Sequence, residues 1–258
     1  MKRHPRHRLT TLVTVGVLVG LVQTLDGRRA ADAPEGAGLI QRVLTQTSRH
    51  GISVRAIREL RAGTRSGKHQ GWMDVETITN RTGSFTWKVL DEGGSERTRT
   101  KVFRELLKAE ADSWRSGARD EAALTLENYA FRQLPADPDG QARFEVTPKR
   151  SDPRLVDGVL TVSADGYPLR LEGRLAKSPS FWVRRVTVVK RYDRVAGVAL
   201  PISIESLADL KLFGQSTLTM RYRYSEVNGR TIPLTMASSR SFGPSPELLA
   251  LDAARRSR

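Results

Sequence analysis

The sequence predicts a mostly β domain with a few helices, built as a meander of about ten antiparallel strands. Three observations carry that prediction. From Arg143 onward apolar and polar residues alternate with a period of two, in runs divided by Asp165-Gly166, Ala196-Gly197 and Asn228-Gly229. Two stretches, beginning near Glu35 and Lys101, switch to a helical period. The chain has no cysteine, so its core has to hold without disulfides.

Taken in order, residues 35–49 place Leu39, Ile40, Val43 and Leu44 on one helical face. Residues 52–62 fit either period, since Ile52, Val54 and Ala56 alternate while Ala56, Ile57 and Leu60 have helical spacing. Trp72–Thr79 reads as a strand, joined by the Asn80–Gly83 loop to a second in which Phe85, Trp87 and Val89 alternate with Thr86 and Lys88. Along 101–115, Val102, Phe103, Leu106, Leu107, Ala111 and Trp114 share one face, with Arg104, Glu105, Lys108 and Asp112 on the other. A loose segment with Pro135 and Pro138 precedes the run of strands, which ends at Thr231–Met236. One short helix after Ser245-Pro246 interrupts an otherwise loosely ordered basic tail over 242–258. A single sheet of this kind has to curl, stack on a second sheet, or be covered by the amphipathic helices.

The first 33 residues read as a leader. Lys2, Arg3, Arg6 and Arg8 precede an uncharged run from Leu9 to Leu25, and small residues surround Ala33. This is the layout of an export signal, or of an N-terminal membrane anchor if it is retained. Arg28-Arg29 follows the apolar run, so it is no twin-arginine signal. The domain proper then spans 34–241, outside the cytoplasm.

Formal net charge is +15, spread along the chain as arginines on alternate strand positions. A solvated outer face, or contact with an anionic membrane surface, accounts for it. Nucleic acid is excluded as a partner because no nucleic-acid motif accompanies the charge. The motifs of an enzyme are missing too: there is no G-x-S-x-G elbow, Walker loop or G-x-G-x-x-G turn. Glu110 and Asp112 read as solvated charges on the polar side of their helix. His4, His7, His50 and His69 are scattered, so no metal, cofactor or catalytic residue is expected.

From Glu127 to Gly229 a set of short motifs recurs: Glu127-Asn128-Tyr129-x-Phe131, Thr147-Pro148-Lys149-Arg150-x-Asp152, Leu155-x-Asp157-Gly158, Arg170-Leu171-Glu172-Gly173-Arg174, Ser178-Pro179-Ser180-Phe181-Trp182-Val183, Arg191-Tyr192, Gly197-x-x-Leu200-Pro201, Phe213-Gly214 and Glu226-Val227-Asn228-Gly229. Together they resemble the uncharacterised bacterial outer-membrane lipoprotein-sorting proteins, distant relatives of the periplasmic lipoprotein carrier LolA and its receptor LolB. The resemblance implies a strongly curved antiparallel sheet, an incomplete β-barrel covered by two or three helices, with 35–49 and 101–115 as the cover. It also implies a non-catalytic periplasmic protein that holds the acyl chains of a lipid or lipoprotein between sheet and helical lid. The lipobox cysteine of the receptor type is missing. An envelope-stress sensor domain shares the fold without moving lipoproteins, so a sensor or protein-interaction module is the alternative.

The candidate cavity residues come from the apolar rows. Leu218, Met220, Tyr222 and Tyr224 point to one side of a strand, with Ile202 and Ile204 in a nearby row. Phe85 and Trp87 lie on a third strand, and Phe103, Leu106, Leu107 and Trp114 on the helix. The pattern suits ordinary core as well as a pocket wall. On the lipid-binding reading they line an open cavity, and truncating Met220 changes ligand affinity more than stability.

The leader has a direct test. N-terminal sequencing of protein from the native cell envelope is expected to find a start shortly after residue 30. A start at Met1 in membranes would mean an anchor, and one at Met1 in a soluble cytoplasmic fraction would end the export reading.

Overall fold

The computed structural model describes residues 35–47, 51–65, 67, 69–118, 120–212, 214–233 and 244–256. The leader lies outside the described residues, as do the end of the helix expected over 35–49 and positions 234–236 of the last expected strand. Helix α1 spans Glu35–Thr47. Strands β1 (Val54–Thr64), β2 (Gly71–Thr79) and β3 (Phe85–Gly94) follow. The next segment is helical throughout: α2 (Glu96–Thr98), a π-helical turn (Arg99–Arg104) and α3 (Glu105–Ser116). After a short 3-10 turn at Asp120–Ala122 come β4 (Tyr129–Leu134), β5 (Ala142–Pro148), β6 (Val156–Val162) and β7 (Pro168–Leu175). Three long strands, β8 (Val183–Val195), β9 (Val198–Leu210) and β10 (Gly214–Val227), lead to the two-residue β11 (Arg230–Thr231) and to α4 (Pro246–Arg256).

All strands join one antiparallel sheet in the order β3-β2-β1-β10-β9-β8-β7-β6-β5-β4, with β11 beside β10. The sheet is curved and open, as expected. The ambiguous stretch 52–62 resolves as strand from Val54 onward, because β1 sits between β2 and β10 and its backbone groups are claimed from both sides. Strand β4 corrects the loose segment expected before Arg143: at the sheet edge it pairs with β5 alone. The turns at Ala196-Gly197 and Asn228-Gly229 have positive φ at both residues, the type I′ geometry that matches strand twist.

Register shows where the core must lie. Phe144, Leu160, Leu171, Lys190, Ile204, Met220, Leu60 and Met73 stand opposite one another across β5, β6, β7, β8, β9, β10, β1 and β2. Directly opposed residues share a face, so this row runs along the concave side. Helix α1 covers one half of it, packing Leu39, Ile40, Val43 and Leu44 against Phe144, Leu160 and Leu171. The helical segment 96–116 covers the other, packing Phe103, Leu106, Leu107 and Trp114 against Leu60, Met73 and Met220.

Helix α4 lies on the opposite face, where Leu248 joins Val189 and Leu207. Asp252 there accepts a hydrogen bond from Thr187 Oγ1 at 2.9 Å. The helix expected after Ser245-Pro246 is present, and it is docked on the sheet, not part of a loose tail. Elsewhere on that face arginines pair with carboxylates, including Arg61 with Asp74 at 2.7 Å, Arg223 with Glu59 at 3.1 Å and Arg191 with Glu205 at 3.2 Å.

Several residues that carry the family resemblance build a structural corner. Asn128 Nδ2 donates to the carbonyls of Asp120 and Ala123, both at 2.9 Å, and Arg150 donates to Asn128 Oδ1 and to the Glu121 carbonyl. Arg154 Nε donates to Asp152 at 2.9 Å; that bond, against the cost of burial, holds the Asp152 carboxyl down at about 2. Gly158 and Gly173 face each other across β6 and β7. A Cβ at Gly158 would stand 1.9 Å from the Glu172 carbonyl oxygen, and one at Gly173 2.2 Å from that of Asp157, so only glycine permits this close approach.

Candidate functional site

The helical segment 96–116 is a separate cover whose ends are both marked by left-handed glycines. Gly94 (φ 76°) closes β3 before it, and Gly117 (φ 74°) caps α3 after it. Its entry is fixed to β3 by Glu92, which accepts from Arg99 at 2.9 Å and from Arg104 at 2.8 and 2.9 Å. The bonds from Arg104, outweighing burial, lower the Glu92 carboxyl pKa. The π-helical turn of Arg99–Arg104 brings Phe103 to full burial ahead of Leu106 and Leu107.

Most of the candidate cavity residues meet beneath this cover. Phe85, Phe103, Leu106, Leu107, Trp114, Leu218, Met220, Tyr222 and Tyr224 form one cluster, with Trp87 and Ile204 packed at its margin. Ile202 is half-buried and takes no part in it. The Phe85 and Trp114 rings stack at 6.5 Å between centroids, and those of Tyr222 and Tyr224 at 6.2 Å. Tyr224 donates its hydroxyl proton to the Pro201 carbonyl at 2.7 Å.

The cluster is packed, not open. A free space of about 30 Å³ remains, bordered by Trp114, Tyr222 and Tyr224 and by Thr77, Thr79 and Pro201. It suits a water molecule or two and is far short of an acyl chain. Leu218 and Met220 do not border it at all.

At the centre of this apolar site lies an ion pair that the sequence reading missed. Arg58 Nη1 and Nη2 donate to the two carboxylate oxygens of Glu110 at 2.6 and 3.0 Å. The side chains are 9% and 2% exposed. The guanidinium lies 5.1 Å from the Phe85 ring centre and 4.9 Å from that of Tyr222. Burial works against its charge, but Glu110, together with Tyr222 and Tyr224, more than offsets this and the Arg58 pKa is raised. Glu110 is therefore not the solvated charge expected on the polar side of its helix. It falls within the apolar stripe of Phe103, Leu106, Leu107 and Trp114, at helical spacing from each. Arg58 likewise occupies the apolar row of β1 between Ala56 and Leu60. Each charge sits where its period calls for an apolar residue, and that was the available signal.

Among the described residues no group of three or more histidine, aspartate or glutamate side chains is placed to hold a metal. No helix among them is long and apolar enough to cross a membrane.

No protein-family model matches the chain, and no curated protein does. Among solved structures, a LolA-superfamily protein from Nitrosomonas europaea aligns with 79% of this chain and 99% of its own, at 13% identity and a TM-score of 0.43. A DUF1329-family protein from Desulfovibrio piger aligns with 83% of this chain and 97% of its own, at 13% identity and 0.38. Lipovitellin, in a structure describing its lipid–protein interactions, aligns with 77% of this chain and 28% of its own, at 13% and 0.26. At these values the likeness concerns backbone layout alone.

Packing around Met220 reverses the expectation of an open wall there. The residue is 3% exposed and in contact with the Tyr222 hydroxyl. Met220→Ala is expected to cost about 2–5 kcal/mol through lost burial and the cavity left behind. Denaturant unfolding measures it; a loss under about 1 kcal/mol would mean the site is looser than this packing.

Proposed function

We propose that this chain is an exported, non-catalytic lipid-binding protein, working in the periplasm and taking up acyl chains between its curved sheet and the helical segment 96–116. The observation that carries the reading is the cover itself. A single helical segment, bracketed by Gly94 and Gly117, packs Phe103, Leu106, Leu107 and Trp114 into one aromatic-rich apolar cluster. Lifting it would expose a continuous apolar surface, the kind of surface a lipid chain fills at about 0.8 kcal/mol per methylene. On this reading the packed arrangement is the closed form. Carriage of lipoproteins, as the sequence resemblance implies, is the finer form of this reading.

A second reading has its own support. With about 30 Å³ of free space beside Trp114, Tyr222 and Tyr224, the same domain also suits a sensor or protein-interaction module whose core never opens. Native mass spectrometry of protein purified from its own envelope separates the two. Copurified acyl chains, and uptake of a fluorescent fatty acid that Leu106→Glu abolishes in a folded protein, are expected. A ligand-free protein that takes up no probe would favour the module, and normal uptake by the folded variant would mean that the helix is not a lid.

An anionic membrane surface is the partner favoured by one end of the sheet. Phe181 is 74% and Leu212 69% exposed, on two loops joined by a hydrogen bond from the Lys211 amide to the Trp182 carbonyl. Lys211 Nζ stands 3.5 Å from the Phe181 ring centre, and Lys177 and Arg184 are exposed on the same loop or at its end. Apolar tips among basic side chains suit the headgroup region, where each cation contributes about 1 kcal/mol near anionic lipid. Vesicles containing phosphatidylglycerol should bind the protein, while pure phosphatidylcholine vesicles should not. The double variant Phe181→Ser, Leu212→Ser should weaken that binding about tenfold or more. Equal binding to both vesicle types would remove the membrane from the partners.

A further inference from the structure

The acyl-chain reading leaves one residue unexplained. An apolar chain asks nothing of a guanidinium, yet Arg58 is set into the floor of the site. Taking this charge out of water is costly, and a well-packed apolar residue in its place is often as good or better for stability. The orientation of the pair supplies a reason. Arg58 belongs to β1, in the middle of the sheet between β2 and β10, whereas Glu110 belongs to the cover. The two oxygens that satisfy Arg58 therefore come from the element that must lift for a chain to enter.

When the cover lifts, Glu110 leaves with it. Arg58 stays behind, its guanidinium over the Phe85 and Tyr222 rings and both Nη groups without their acceptors. An uncompensated cation in such a place is strongly unfavourable. Arg58 Nε is already buried and unbonded in the closed form, so the guanidinium keeps a donor in reserve. The small free space in the cluster is bordered by Arg58 and Glu110 together. A planar fork of donors in an aromatic surround fits a carboxylate or phosphate group.

We propose that Arg58 is the receptor for the anionic head of an acyl-chain ligand, and that Glu110 is a resident stand-in for that head, exchanged for it when the cover opens. The inference rests on the acyl-chain reading and adds the ligand class: a chain ending in a carboxylate or phosphate, not a neutral lipid. Closure returns Glu110 to Arg58 and expels the head. Entry does the reverse, and no bond is made or broken beyond hydrogen bonds.

The test compares three probes of one chain length, dodecanoate, dodecyl phosphate and dodecanol, by equilibrium titration of the full protein. Wild type is expected to bind at least one anion about tenfold more tightly than the alcohol, the size of one charge-assisted hydrogen bond. Which anion wins decides between a fatty-acid and a phospholipid-type head. Glu110→Gln removes a contact that holds the cover shut, so it should tighten the binding of all three probes while the anion keeps its margin over dodecanol. Because that variant strands a buried cation, the double variant Arg58→Met, Glu110→Met is the companion: it restores apolar packing, and should bind dodecanol while losing the anion preference. Equal affinity of wild type for all three probes overturns the anion receptor and leaves the acyl-chain reading standing, as does a preference that survives in the double variant. Failure of all three to bind removes both.

Discussion

An open antiparallel sheet has one apolar face too many, and everything else in this molecule answers to that constraint. The row from Phe144 to Met73 crosses eight strands, and among the described residues no second sheet covers it. Burial at about 25 cal/mol per Å² of apolar surface has to come from helices laid into the concavity. Helix α1 and the segment 96–116 divide the work, each over its own cluster. The approach of β6 to β7 at Gly158 and Gly173 belongs to the same constraint, since close backbone contact lets strands bend toward a cover.

The two covers differ in how they are held. Helix α1 meets its half of the face with an apolar stripe of Leu39, Ile40, Val43 and Leu44. The segment 96–116 is fixed by polar contacts at identifiable points, with Glu92 at its start and Arg58 beneath its middle. Breaking a buried pair costs several kcal/mol when nothing replaces the lost partner, and much less when something does. On the proposal above, a cover held in this way would open readily only in the presence of a group that can take the place of one partner. Such a contact resists opening in general while permitting it for one class of ligand, which an apolar contact of equal strength does not do.

Sheet and cover were largely legible in the sequence because period and burial agree there. In β10, Leu218, Met220, Tyr222 and Tyr224 alternate with threonine and arginine, and the structure buries the first set. Legibility failed where a residue answers to a tertiary partner and not to its own element. Strand β4 is an edge with a mixed pattern, read as loose because its order comes from β5. Residues 52–62 stayed ambiguous because β1 is central, and residues on both its faces are buried, which erases the alternation. Glu110 was read as surface because carboxylates usually are, although its position in the stripe said otherwise. Free space is the hardest to read of all: the same leucine, methionine and tyrosine rows serve a filled core or a hollow one.

The placement of the resemblance bears on what it can transmit. Asn128, Arg150 and Asp152 tie the loop after α3 to the hairpin ahead of β6, while Gly158 and Gly173 set the contact of β6 with β7. These residues specify how one half of the sheet is built, and they lie in or beside the half under α1. The residues that would meet a ligand, Phe85, Phe103, Glu110, Tyr222 and above all Arg58, belong to the other half, and all but Tyr222 lie outside the matched stretch. A shared motif of this kind passes on the frame and leaves the site free to vary. On the proposed reading, ligand class would follow from the charge set into the apolar floor, which the motif does not contain.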